Sequence, residues 1–315
     1  YNKMVNFLLN EKADIDHISA KNETALTLAI QEKQVETVRI LLERGANTDI
    51  QNAKGQTPLM TAVLAGETEI VKLIFQYQKQ DSFTAKLDTA DFIGNTPLMV
   101  SADKGFLDIA TLLLERGAKV ESVNRWNETA LMFASSKGFR EIVSLLLKHG
   151  AEIDSKDISE KTALLRASQN GHLLTVEMLI LNGANLHFNS FDLGGEGGTA
   201  LIQAARNGHN DVLQKLLNVG AEINTTELMF HHSALMVAAL NGHFKSVELL
   251  LNAGADPILR DTSHRTALLL AATNNHLPVI KQLADAKQNG VQTDSNGNCI
   301  WHLMAMIDGQ KNKEE

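Results

Sequence analysis

Apolar and polar residues are arranged along the chain with the spacing of short amphipathic helices. Within residues 125–157, Leu131 and Ala134 form one apolar face, and Ile142 and Leu146 continue with a period of about 3.6 residues on a second. Gly138 lies between the two stripes, where it interrupts helical structure. This pattern predicts two consecutive helices joined by a tight turn, each with one face turned toward a core.

The same pattern recurs along almost the whole sequence. Each repeat opens on a motif of the form Thr-Ala/Pro-Leu-x-x-Ala, and its first residue, here called the anchor, is Thr24, Thr57, Thr96, Thr129, Thr162, Thr199, Ser233 or Thr266. Cys299 stands one period later. Five of the eight successive spacings are 33 residues, and a Gly-Ala pair follows 21 residues after six of the anchors. Two independent marks with one period indicate a tandem repeat.

Individual positions of a repeat have physical roles that fit this interpretation. The hydroxyl of Thr129 can cap the first helix by accepting a hydrogen bond from the backbone of its first turn. Gly150 can take the left-handed conformation that ends the second helix. Residues 151–157 then form an extended loop, here called a finger. Each helix pair leaves an apolar face that only a neighbouring pair can cover.

These motifs resemble the ankyrin repeat family, in which Thr-Pro-Leu-His-x-Ala opens the first helix and Gly-Ala follows the second. The resemblance implies an all-α solenoid of helix-turn-helix pairs with finger loops. We expect a single domain over residues 1–315, with eight complete repeats and half repeats at residues 1–19 and 295–310. The chain departs from the family at the histidine of the motif, which is replaced by Thr27, Met60, Met99, Met132, Leu165, Ile202, Met236 and Leu269. The methionines favour an adaptable packing layer.

Two fingers are longer than the others, within residues 78–96 and 183–199. Insertions on one face of a repeat array often mark the binding face, although surface loops also accept extra length at little entropic cost. The ends match incomplete repeats, since residues 5–12 fit only a second helix and residues 299–308 only a first helix. We therefore expect a fragment of a longer protein, or atypical ends.

Composition narrows the class of partner. The net charge of −8 is spread over the 315 residues without a basic stripe, which argues against nucleic acid as the main ligand. No apolar run reaches the roughly 18 residues that span a bilayer. The single cysteine, Cys299, cannot form an internal disulfide, so we expect a cytoplasmic, reducing environment, or a host cytosol if the chain is a bacterial effector. We expect a monomer in isolation.

In the ankyrin family a partner usually lies across the finger tips and the first helices. The tip positions lie four and three residues before each anchor, and a third candidate position lies directly before it. The predicted partner-binding residues are Phe92, Ile93, Asn95, Arg125, Trp126, Glu128, Ile158, Lys161, Met229, Phe230, His232 and Arg265. Aromatic residues beside an arginine are typical of interface hot spots. The alternative is that each apolar tip folds down on an adjacent finger.

Residues with catalytic or metal-binding potential favour structural roles. His172, His209, His243 and His276 recur at one position, so consecutive side chains lie about 8 to 10 Å apart, too far for one metal ion. Adjacent His231 and His232 are a weak zinc candidate. Cys299 and His302 have the spacing of a thiol and its base, but Cys299 takes a capping position and no acidic partner is specified. The glycine run at residues 194–200 lacks the preceding strand of a nucleotide loop.

The sequence therefore predicts a scaffold that binds another protein or peptide along its concave finger and first-helix face. We expect no cofactor and no enzymatic activity within this fragment. The alternative is that the chain is the targeting portion of a larger enzyme, such as a secreted bacterial effector, whose catalytic domain lies outside residues 1–315. A small-ligand site beside the 183–199 finger is a third hypothesis.

Overall fold

The computed structural model describes residues 2–77, 87–191, 197–285 and 293–302. Within these residues the chain folds into α-helices and loops, with isolated β-bridges and no strands. The helices are α1 (Asn2–Asn10), α2 (Ala25–Gln31), α3 (Val35–Glu43), α4 (Pro58–Ala65), α5 (Thr68–Tyr77), α6 (Pro97–Lys104), α7 (Leu107–Glu115), α8 (Ala130–Lys137), α9 (Arg140–Lys148), α10 (Ala163–Gln169), α11 (Leu173–Leu181), α12 (Ala200–Arg206), α13 (Asn210–Asn218), α14 (Ala234–Leu240), α15 (Phe244–Asn252), α16 (Ala267–Thr273) and α17 (Leu277–Asp285). The all-α prediction is confirmed.

The anchors start the first helices, as the sequence predicts. The hydroxyl of Thr57 accepts a hydrogen bond from the backbone N–H of Met60 at 3.2 Å, and Ser233 makes the same bond with Met236 at 3.3 Å. Such caps satisfy backbone donors that the first turn of a helix leaves without partners. At Thr266 the structure gives no side-chain cap of this kind.

Residues at the family's histidine position are buried, which confirms their place in a packing layer. Met60, Met99, Met132 and Met236 are at most 1% exposed. Met99 also keeps a polar role, because its Sδ lies 3.5 Å from the backbone N–H of Thr96 and accepts a hydrogen bond there. A thioether thus fills the core and completes a reciprocal cap at the same time.

The helices form two compact units. The N-terminal block comprises Tyr1–Ala134 and Phe139–Glu152, and the C-terminal block comprises Ser135–Gly138 and Ile153–Glu315. In the N-terminal block the first helices of the repeats form one row, here called the inner row, which consists of α2, α4 and α6. The second helices form the other row, here called the outer row, which consists of α1, α3, α5, α7 and α9. Successive helices of each row are in contact. In the C-terminal block α10, α12, α14 and α16 form the inner row, and α11, α13, α15 and α17 form the outer row. Each pair therefore covers the apolar face of the next within its block.

A turn of shared geometry closes most of the described fingers. In the finger that precedes Thr129, the side-chain Oδ1 of Asn124 accepts from the backbone N–H groups of Trp126 and Glu128 at 2.9 and 3.0 Å. Asn127, two residues before the anchor, has a φ of 59°. Neighbouring fingers are joined through their tips, where the N–H of Arg125 donates to the carbonyl oxygen of Ile93 at 3.1 Å. The fingers are thus fixed by their own hydrogen bonds.

The longer fingers and the last half repeat fall partly outside the described residues. Residues 78–86 of the first longer finger and residues 192–196 of the second, which include part of the 194–200 glycine run, lie outside the described residues. The second insertion is closed by a β-bridge between Ser190 and Gly198. Of the predicted half repeat at residues 295–310, residues 303–310 lie outside the described part. The repeat boundaries remain predictions.

Candidate functional site

Three large apolar side chains stand out on the fingers of the N-terminal block. Phe92, Ile93 and Trp126 are 58%, 41% and 46% exposed, although their backbones are held in place. The N–H of Phe92 donates to the carbonyl oxygen of Lys54 at 3.1 Å, and the N–H of Ile93 donates to Asp91 Oδ1 at 3.0 Å. Ordered backbones with exposed aromatic side chains are suited to binding, because little conformational entropy remains to be lost.

One side of Phe92 packs against the preceding finger. A Cβ added at Gly55 would lie 2.6 Å from Cδ1 of the Phe92 ring and 2.9 Å from the Phe92 backbone nitrogen. The backbone of Gly55 also has a φ of 76°, which favours glycine. The alternative of a ring folded on its neighbour therefore holds for one edge of Phe92, while more than half of the side chain remains exposed.

A groove lies beside these fingers on the inner helices. It is lined by Leu64 of α4, by Met99, Val100, Asp103 and Lys104 of α6, by Phe133 of α8 and by Asp91 and Asn95 of the finger, and it has a volume of about 200 Å³. Leu64, Val100 and Phe133 were missed in the sequence analysis. Their signal is positional, because each lies four or seven residues after an anchor.

Two predicted partner-binding residues of this block hold the finger bases. Nδ2 of Asn124 donates to Asn95 Oδ1 at 3.0 Å and to Glu128 Oε2 at 2.7 Å. Asn95 and Glu128 are therefore half-buried parts of a hydrogen-bonded network between consecutive fingers, whereas Arg125 at the tip is exposed. This network aligns Phe92 and Ile93 with Trp126.

The remaining predicted residues belong to the C-terminal block. Ile158 is 68% exposed, and Met229 and Phe230 are 38% and 37% exposed. Lys161 is half-buried, and its Nζ lies 3.5 Å from Oε1 of Gln169 on α10. The predicted partner-binding residues thus fall into two groups, one in each block.

His232 and Arg265 lie in a cluster of charged groups at the base of two fingers. His232 is only 5% exposed, with Nε2 3.4 Å from Asp261 Oδ2 and Nδ1 3.8 Å from Glu227 Oε1. Arg265 Nε donates to Asp261 Oδ2 at 2.8 Å. Burial lowers the pKa of His232, and the carboxylates of Asp261 and Glu227 offset part of that effect. The structure therefore buries His232, a predicted partner-binding residue, at the base of its finger.

The tips of Met229 and Phe230 depend on this cluster. Glu227 is buried, and its carboxylate accepts from the N–H groups of Met229 at 2.6 Å and Phe230 at 2.8 Å. The Phe230 ring also packs near the His232 imidazole, with centroids 5.6 Å apart. This finger is one residue longer than most, and the longer glutamate side chain takes the place of the aspartate or asparagine found in most other fingers.

The recurring histidines form a structural column in the C-terminal block. Their Nε2 atoms lie 2.9 to 3.0 Å from backbone carbonyl oxygens of the preceding repeat, in the pairs His172 with Ser136, His209 with Gln169, His243 with Arg206 and His276 with Leu240. Each ring also packs on a glycine with positive φ, such as Gly171 under His209. In the N-terminal block Phe106 and Phe139 occupy the same place on Gly66 and Gly105. The four histidines therefore have the structural role that the sequence predicts.

Cys299 and His302 meet as the spacing suggests. The Cys299 Sγ lies 3.1 Å from His302 Nδ1, which also accepts from the Cys299 backbone N–H at 3.3 Å. Hydrogen bonds with His302 hold the pKa of the Cys299 thiol below its ordinary value. The arrangement matches a helix cap, in which the anchor and the residue three positions later exchange hydrogen bonds.

Over residues 2–77, 87–191, 197–285 and 293–302, no group of three or more His, Cys, Asp or Glu side chains is placed to hold a metal ion. Among these residues, too, no helix combines the length and the apolar character needed to cross a bilayer.

The fold and its surfaces define a class of repeat protein in which helix pairs present fingers and an inner groove. The family model for ankyrin repeats (3 copies) matches residues 1–86, 45–124, 81–157, 98–192, 156–227 and 235–311, so almost the whole chain is covered. The chain belongs to the ankyrin repeat family. Ankyrin repeats are in general protein-protein interaction modules. No curated protein matches the chain.

Proposed function

We propose that this chain is a binding module for another protein, which it holds through the finger tips of its N-terminal block. Phe92, Ile93 and Trp126 form the core of the surface, with Arg125 beside them. The observation that carries the proposal is that these apolar tips are 41% to 58% exposed on backbones fixed by hydrogen bonds. A large exposed apolar patch on an ordered scaffold marks an interaction site.

The composition of the patch supports a protein partner. Tryptophan and arginine are enriched among interface hot spots, where a single truncation costs about 2 kcal/mol or more, a loss of roughly 30-fold in affinity. The same side chains contribute little to folding here, because about half of Trp126 and more than half of Phe92 already face solvent. Binding and stability are therefore separable by mutation.

The test is selection of binders from a displayed random-peptide library on the immobilised chain. Wild type should enrich a family of sequences, and the F92A/W126A double variant should lose more than about 90% of that binding. The matched control is Leu181→Ala, because Leu181 is 83% exposed on the outer helix α11. Equal binding by wild type and the double variant, with the helical circular dichroism of both intact, would reject this surface.

The same surface would act in a free-standing scaffold or in the recruiting portion of a larger enzyme. Reading the coding sequence on both sides of residues 1–315 distinguishes these two settings, because only the second requires a catalytic domain nearby.

A further inference from the structure

A buried imidazole lies between two fingers of the C-terminal block. His232 stands at the base of the finger formed by residues 227–232 and is 5% exposed. Its Nε2 atom faces Asp261 Oδ2 on the next finger at 3.4 Å, and its Nδ1 atom faces Glu227 Oε1 on its own finger at 3.8 Å. Both distances exceed the usual length of a hydrogen bond from a ring N–H. The ring is therefore enclosed by two carboxylates without being tightly bonded to either.

The carboxylate of Glu227 fixes the tip of this finger. Its Oε2 atom accepts from the backbone N–H of Met229 at 2.6 Å. Its Oε1 atom accepts from the backbone N–H groups of Phe230 at 2.8 Å and of His232 at 3.0 Å. A carboxylate oxygen offers about two lone-pair sites, so these two bonds fill Oε1. The oxygen nearest to Nδ1 of the ring thus has no free site for a further donor.

The carboxylate of Asp261 differs on the side that faces the ring. Among the described residues, its Oδ2 atom accepts one hydrogen bond, from Arg265 Nε at 2.8 Å, so a lone-pair site remains toward Nε2 of His232. Its Oδ1 atom is occupied by the backbone N–H groups of Ser263 and Arg265, both at 2.8 Å. A neutral ring with its proton on Nε2 fits these surroundings, because its one N–H points at the remaining site and its lone pair at the filled oxygen.

A second proton on the ring has no acceptor within reach. Protonation adds an N–H at Nδ1, and this N–H faces the filled Oε1 of Glu227. To accept it, Glu227 must release the backbone N–H of Phe230 or of His232, since a buried donor without a partner is costly. Desolvation by burial, the largest cause of the lowered pKa of His232, acts in the same direction. The charges of Asp261 and Glu227 oppose this lowering of the pKa, and that of Arg265 adds to it.

The tip that depends on Glu227 is apolar and is joined to the next finger. Leu228, Met229 and Phe230 are 54%, 38% and 37% exposed. The carbonyl oxygen of Phe230 accepts from the backbone N–H of Thr262 at 3.0 Å. A change in the bonds of Glu227 therefore affects both the apolar tip and its link to the next finger.

We propose that acid opens the finger of residues 227–232, because a proton taken up by His232 displaces the tip N–H groups from Glu227. Opening is local, since helix α14 keeps its own cap, in which Ser233 accepts from the N–H of Met236 at 3.3 Å. The open finger takes up at most one more proton than the closed finger, so the opening equilibrium constant rises at most about 10-fold for each pH unit below about 6.5. The proposal is independent of the binding surface on the N-terminal block.

The test is nuclear magnetic resonance of the isotopically labelled full chain between pH 7.5 and 5.5, a range above the ordinary titration of carboxyl groups. The His232 imidazole shift reports protonation, and the amide exchange rates of Met229 and Phe230, relative to unstructured peptides at the same pH, report opening. Protection of these two amides should fall by about 2- to 10-fold as the imidazole titrates. The internal control is the finger of residues 157–161, which has no histidine and in which Asp157 binds the N–H groups of Ser159 and Lys161.

Two variants separate the buried ring from its exposed neighbour. His232→Gln should remove the pH dependence of the Met229 and Phe230 amides, whereas His231→Gln should keep it, because His231 is exposed. Amide protection that stays constant or increases while His232 titrates would overturn the proposal, and so would an equal fall in the His232→Gln variant or in the control finger. If His232→Gln does not fold, the wild-type titration against the control finger decides the question alone.

Discussion

The histidine column makes a quantitative prediction about Gly171, which packs under the His209 ring. A Cβ at Gly171 would lie 2.5 Å from Nδ1 and 2.7 Å from Cε1 of that ring, and the backbone there has a φ of 74°. Alanine at this position therefore meets two separate penalties. One is the left-handed backbone, and the other is displacement of the imidazole from its place in the column.

The two penalties can be estimated separately. A left-handed conformation costs an L-residue about 1 to 2 kcal/mol. Moving His209 breaks the 3.0 Å contact of its Nε2 with the Gln169 carbonyl oxygen, worth about 1 kcal/mol, and disturbs packing worth a similar amount. We expect Gly171→Ala to lower the free energy of unfolding by about 3 to 4 kcal/mol.

Gly183→Ala is the matched control for this estimate. Gly183 has a φ of 88°, and a Cβ there would meet nothing within 4 Å, so only the backbone penalty of about 1 to 2 kcal/mol applies. Urea unfolding followed by circular dichroism measures both variants, and an unchanged m value shows that the same transition is compared.

A double-mutant cycle with His209→Ala completes the test. Removal of the ring should reduce the cost of Gly171→Ala to that of the control, because the alanine methyl then has room. If Gly171→Ala and Gly183→Ala were equally destabilising, the packing of His209 on Gly171 would contribute nothing, and our account of the column would be refuted.

Two further predictions follow from single residues. His264, two residues before its anchor, has a φ of 60°, and its side chain is exposed. Because a left-handed backbone strains a residue with a Cβ, His264→Gly should raise the free energy of unfolding by about 0.5 to 1 kcal/mol in the same urea assay. A loss of stability would contradict backbone strain at His264. The lowered pKa of buried His232 means that the unfolded chain, with a histidine pKa near 6.5, binds a proton more readily than the folded chain. The stability that neutral His232 contributes is therefore complete above about pH 6.5 and is lost as the pH falls through the folded-state pKa. We expect His232→Gln to flatten the pH dependence of the free energy of unfolding between about pH 7 and 5. An unchanged slope would contradict the burial of a neutral histidine at this position.

The repeat period and the anchor residues are enough to predict most of the fold. A threonine or serine at each anchor and a glycine 21 residues after six of the anchors act locally, through a cap and a left-handed turn, so the sequence alone predicts them. The equivalence of Phe106 with the histidines was harder to anticipate, because an aromatic ring and an imidazole share a place on a glycine only once the backbones are stacked.

Some residues of the candidate site are likewise predicted by the sequence, and others become apparent only in the folded structure. The register predicts Phe92 and Trp126 as tip residues, since fingers of constant geometry place equal positions alike. The burial of His232 depends on the carboxylates of Glu227 and Asp261, and Asp261 lies on a different finger. No period encodes the charge of that neighbour. Likewise, the groove is formed by side chains of three helices that are distant in sequence, so no short sequence motif predicts it.

The most direct test of the proposed binding surface is hydrogen-exchange mass spectrometry of the chain with a peptide from the library selection. Bound peptide should slow exchange in the fingers and inner helices, within residues 91–104 and 123–133. The contrasting region is the outer-helix groove of about 370 Å³ between α5 and α7, lined by Thr68, Lys72, Asp108, Thr111 and Leu112. Protection confined to those outer helices, with the fingers unchanged, would contradict the account.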